Sequence, residues 1–104
     1  MNDANPKPGT VAYVGKNGGT PGQIFAQFVG SLATDTVLTP RERELVYIGI
    51  HTALNLENSL RAHIPRALQA GATKEELAAA MMIAVANGGV NGALIGLPIL
   101  FEEH

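Results

Sequence analysis

Cysteine is absent from the sequence, and its absence removes disulfides, thiolate metal ligation and thiol catalysis together. Charge is scarce as well: 15% of the 104 residues are charged against 46% hydrophobic. A chain this small has much surface to cover, so the low charge implies apolar surface buried between subunits, and a homo-oligomer is expected. The length suits one domain. The net charge of −2 comes with no basic patch, so nucleic acid is not expected as a partner. The opening residues, MNDANPKPGT, hold no apolar run of the kind that starts a secretory signal, and a cytoplasmic protein is expected. Residues Leu77 to Phe101 carry no charge, yet Asn87, Gly88, Gly89, Asn91, Gly92, Gly96 and Pro98 interrupt them. That pattern reads as two core helices joined by a glycine turn, not as a membrane span.

What is present is helical signal. Residues 1–19 read as an irregular arm, with Val11 to Val14 as a short extended piece among glycines. From residue 20 to 104 a single helical domain is expected. Thr20-Pro21 marks a start, followed by Ile24, Phe25, Phe28, Val29 and Leu32 at helical spacing. Thr39-Pro40-Arg41-Glu42 and Thr73-Lys74-Glu75-Glu76 each form a capping box, in which threonine and glutamate satisfy one another's backbone amides. Gly71 is placed to cap a helix C-terminus, and Pro65 and Pro98 predict kinks. Gly88, Gly92 and Gly96 recur every four residues and suggest a smooth groove. The total is about five helices, an all-α fold.

The stretch from Thr39 to Gly71 carries the candidate chemistry. Read as one helix with a possible bend at Asn55–Asn58, it places Glu44, His51, Asn55 and Ser59 within roughly 80° of arc, with His63 roughly 40° further on. His63 suits proton transfer near neutrality, although a helix histidine also serves simply to hydrogen-bond a neighbour. Glu44 either acts on that stripe or is an ordinary first-turn acid. A Glu44–His51 contact would fix one tautomer of His51 and raise its pKa; the alternative is a buried histidine satisfied by a carbonyl. Asn55 and Ser59 offer hydrogen bonds to a substrate oxygen or cap the bend. Arg61 and Arg66 are candidate carboxylate clamps. Glu44, His51 and His63 match no metal-binding spacing, so no metal is expected.

The segments LTPRERELVYIGIHTAL (Leu38–Leu54) and SLRAHIPRALQAGATKEELAAAM (Ser59–Met81), with the A-x-x-GG-x-x-GA turn after them, resemble the carboxymuconolactone decarboxylase family. That family shares its fold with the alkyl hydroperoxidase D proteins. The resemblance implies an all-helical bundle assembled as trimers or hexamers. In the peroxidase-like branch a C-x-x-C pair, a histidine and an upstream glutamate act together; those positions fall on Leu56, Ser59, His63 and Glu44 here. The thiols are therefore missing, and a serine cannot cycle through a disulfide. The decarboxylase branch also lacks them and keeps the histidine matching His63. The resemblance thus implies a lyase, free of cofactor, acting on a small molecule such as a carboxylated lactone. His63, Glu44 and His51 are the catalytic candidates, and Asn55, Ser59 and Arg61 the substrate-binding ones. A non-catalytic oligomeric scaffold is the alternative, and peroxidase activity the remote one.

Overall fold

The computed structural model describes residues 5–104, and among them every regular element is a helix. There are six: α1 (Val11–Asn17), α2 (Gly19–Thr34), α3 (Pro40–Ala53), α4 (Glu57–Gln69), α5 (Lys74–Gly88) and α6 (Asn91–Glu102). No helix among the described residues is long and apolar enough to cross a membrane. The chain divides at Val37/Leu38 into two compact units.

The first unit is a helix pair. Residues 11–17, expected as irregular or extended, form α1, and residues 1–4 of the expected arm lie outside the described residues. The Thr10 hydroxyl accepts from the Tyr13 amide at 3.2 Å and caps the helix. Two of the glycines that resembled breakers are instead points of close approach: a side chain on Gly15 would press on Ala26, and one on Gly18 on the Val14 carbonyl. The chain enters α2 through Gly18, with no side-chain cap, so Thr20 is not the start signal it resembled.

The second unit, Leu38–His104, is a four-helix assembly. Both capping boxes form. The Glu42 amide donates to Thr39 Oγ1 at 3.1 Å and the Thr39 amide returns to Glu42 at 2.8 Å, while Thr73 and Glu76 repeat the exchange. The Thr39 backbone, then its hydroxyl, hold the Glu42 carboxyl below its ordinary value of 4.5. α3 packs on α5, α4 and α6, and α5 packs on α6. Ile48, Leu60, Ile64, Leu77, Met81 and Leu100 fill the centre and are fully buried. An Arg41–Glu76 ion pair ties the first turn of α3 to that of α5.

Pro65 and Pro98 both lie inside helices that run on past them to Gln69 and Glu102. Gly88 and Gly92 stand on either side of the α5–α6 break, and both meet the end of α3. A Cβ on Gly88 would press on Ala53, and one on Gly92 would overlap the Thr52 carbonyl; Gly96 faces Met81 instead. The glycine spacing is therefore not an open groove but the surface against which α3 is seated.

Candidate functional site

The site depends on where α3 stops. Leu56 N–H donates to the His51 carbonyl at 2.9 Å and Asn55 N–H to Thr52 at 3.2 Å, closing the helix around Asn55 at φ 59°. This is a left-handed C-terminal cap, with asparagine in the place glycine usually takes. Gly71, at φ 99°, ends α4 in the same way, through Ala72 N–H to Ala67 and Gly71 N–H to Leu68. The polar stripe was laid out on one helix, but the chain turns back at Asn55 into α4. Nineteen residues of continuous helix would have held Glu44 and His63 about 28 Å apart. Instead His63 Nδ1 lies 2.7 Å from Glu44 Oε1.

Three groups on α3 and one on α4 make up the cluster. Glu44, Tyr47 and His51 are spaced i, i+3, i+7 and share a face of α3. His63 comes from α4. Its ring centroid lies 4.8 Å from that of His51 and 4.7 Å from that of Tyr47, while Tyr47 stacks on His51 at 5.7 Å. The Glu44 and His63 side chains are 13% and 17% exposed, so their hydrogen bond is shielded but reachable. Tyr47 was not singled out from sequence. Its signal was there in the same helical spacing, but a tyrosine on an apolar helix looks like ordinary core.

Glu44 pairs with His63, not with His51 as the stripe suggested. His51 accordingly behaves in the opposite way to that expectation. Its pKa is lowered from 6.5, first by burial and next by the neighbouring His63, with Glu44 opposing. His51 Nδ1 is sealed from solvent without a hydrogen-bond partner, so the carbonyl expected to satisfy a buried histidine is not there. The two imidazoles are thereby made unlike: one leans on a carboxylate, the other is held neutral.

The remaining candidates fall elsewhere. Asn55 forms the turn, and its side chain makes no hydrogen bond among the described residues. Ser59 is half-buried and lies one turn before His63 on the same flank of α4. Asn55 and Ser59, with Leu56, Glu57 and Asn58, line an open hollow of about 400 Å³. Arg61 points away from the pair: it lies about 160° around α4 from His63. Its guanidinium is engaged by Glu103 at 2.5 Å and Glu57 at 3.1 Å. Arg66, by contrast, lies on the His63 flank of α4. A second hollow of about 450 Å³, between α3 and α5, is lined by Leu45, Val46, Gly49, Glu76, Ala79, Ala80 and Ile83. Among the described residues no three His, Asp or Glu side chains converge as a metal site requires.

The Glu44–His63 pair can do one kind of chemistry well. With Nδ1–H donated to the carboxylate, the other ring nitrogen of His63 is left to take up or release a proton, and the carboxylate offsets the charge that appears. The chain matches no curated protein and no solved structure. The model of the carboxymuconolactone decarboxylase family does match, over residues 21–102, which spans the whole cluster. The chain therefore belongs to the carboxymuconolactone decarboxylase family.

Proposed function

We propose that this protein is a cofactor-independent enzyme that decarboxylates or opens a small carboxylated substrate, such as a lactone or β-keto acid, by proton transfer through His63. The observation that carries this reading is the shielded 2.7 Å bond between Glu44 and His63. A surface histidine kept only for packing has no need of a half-buried carboxylate. Glu44 fixes the tautomer and orientation of His63, and His51 completes the polar wall. Ser59, one turn from His63, is the substrate-binding candidate best placed. Asn55 serves the turn, and Arg61 serves its two glutamates. Membership of the family supports the decarboxylase direction, and the absence of cysteine speaks against a peroxidase.

The test is a panel of carboxylated lactones and β-keto acids, followed by carbon dioxide release and proton uptake. His63→Gln is expected to lower turnover by about 10² to 10⁴-fold while the helical signal and assembly stay intact. Unchanged turnover in that variant would sink the assignment. The scaffold reading is motivated by the missing thiols. It predicts that no member of the panel binds or reacts.

We also propose a homo-oligomer. Val46 and Ile50 on α3 and Met82 and Ile83 on α5 are exposed in the single chain, more apolar surface than a monomer ordinarily leaves in water. Light scattering should give a small multiple of the 10.9 kDa chain mass; a monomer at micromolar concentration would refute it.

A further inference from the structure

The Glu44–His63 pair accounts for one imidazole and leaves the other without a task. His51 lies 4.8 Å from His63, ring to ring, with Tyr47 stacked against it. Its two nitrogens are not equivalent. Nδ1 is buried and meets no partner, while Nε2 is not sealed in that way. A buried N–H without an acceptor is a rarer and more costly defect than a lone pair without a donor. The tautomer with the proton on Nε2 puts the lone pair in the dry position and the donor where a ligand can reach it. Protonating both nitrogens would bury an unpaired N–H and set a cation beside His63, whose own charge is the one Glu44 is positioned to balance. Glu44, His63 and Tyr47 are the titratable groups of this cluster, and only Glu44 favours a charged His51. Burial and His63 outweigh it, lowering the His51 pKa from its ordinary value.

We infer that His51 is a neutral hydrogen-bond donor, acting through Nε2–H on a substrate oxygen that gains negative charge, while His63 alone exchanges the proton. This rests on the acid–base reading above and adds a substrate class: a carbonyl compound that reacts through an enolate. In the decarboxylation, the bond between the carboxylate carbon and the α-carbon breaks and carbon dioxide leaves. The electron pair moves into the adjacent carbonyl, whose oxygen becomes the enolate oxygen and accepts from His51 Nε2–H. The α-carbon then takes the proton of His63, and the neutral His63 recovers a proton from water. The consumption is one proton per carbon dioxide released. Pairs of titratable groups whose surroundings push them apart mark such a division of labour.

The test begins with nitrogen NMR of the histidine rings in the intact wild-type protein, read through the ring carbon-bound protons between pH 6 and 8. The expected pattern for His51 is an unprotonated Nδ1 and a protonated Nε2 at pH 7 and above; a protonated Nδ1 there, or an imidazolium at pH 7, overturns the inference whatever the enzyme's activity. The second step titrates 4-nitrophenolate into the same sample at pH 8, where it is largely the oxyanion. Movement of the His51 Nε2 resonance is expected, with affinity falling at least about tenfold in His51→Phe and much less in His51→Gln, which keeps a donor near that position. An unmoved resonance, or equal affinity in all three proteins, overturns it. Should His63→Gln retain full turnover while these results hold, the acid–base reading fails and the donor assignment stands, so the two are separable.

Discussion

Asn55 is the residue on which the site's existence turns, and its substitution separates two roles that look alike in sequence. At φ 59° it sits in the left-handed region, where an ordinary L-residue costs about 1–2 kcal/mol and asparagine or glycine much less. Asn55→Ala is therefore expected to lose about 1 kcal/mol and Asn55→Val about 2 kcal/mol. Asn55→Gly stays within about 0.5 kcal/mol of wild type, because relief at φ 59° is offset by a looser unfolded chain. For a chain of this size each kcal/mol moves Tm by about 4 °C or more, so the valine variant should melt about 8 °C early. Urea unfolding followed by circular dichroism measures the series, at one protein concentration because assembly adds its own stabilisation. If the glycine variant is destabilised as much as the valine variant, the turn argument is wrong and the amide side chain is at work. If glycine keeps stability but abolishes turnover, Asn55 contacts substrate after all.

Three further outcomes follow from the same geometry. Gly92→Ala drives a Cβ into the Thr52 carbonyl and should cost about 3 kcal/mol, seen as a melting point about 12 °C lower; an unchanged Tm would mean that α6 does not seat on α3 as described. Glu44→Gln removes the charge from the bond to His63, a loss of about 1.5–3 kcal/mol of transition-state stabilisation, or about 10 to 150-fold in turnover, with Tm little changed; a variant as fast as wild type would show that the pair is merely structural. The depressed pKa of His51 has a defined sign. The unfolded chain takes up its proton near pH 6.5 and the folded chain only below that, so this contribution to stability is complete above pH 6.5 and is lost as pH falls through the folded value. His51→Gln should therefore flatten the acid side of the stability–pH curve, as urea midpoints at pH 5 and pH 7.5 would show, and a steeper curve would contradict the lowered pKa.

The local rules were legible and the reversal was not. Thr39 with Glu42, Thr73 with Glu76, and Gly71 as a terminator depend on chemistry within four residues, so spacing alone located both capping boxes and the end of α4. The N-terminal glycines misled because their role is tertiary. Gly15 and Gly18 let α1 and α2 approach, and a glycine that permits contact looks in sequence like one that breaks a helix. Asn55 misled in a similar way. Asparagine tolerates the left-handed cap but also sits within helices, and nothing local decides between the two.

The sequence by itself determined that this protein is helical, where its strongest helices begin, and that sulfur takes no part in its chemistry, because composition and capping act over a few residues. Helical spacing paired Glu44 with His51 while the family resemblance pointed to His63, and the tertiary structure decides for His63. Glu44 and His63 are 19 positions apart, and their meeting depends on the angle at which one helix returns along another. That angle is set by a left-handed turn at Asn55 and by the packing of Ile48, Leu60 and Ile64 in the core. The same packing seals His51 Nδ1 and makes one histidine unlike the other, a difference of environment that no spacing of letters encodes.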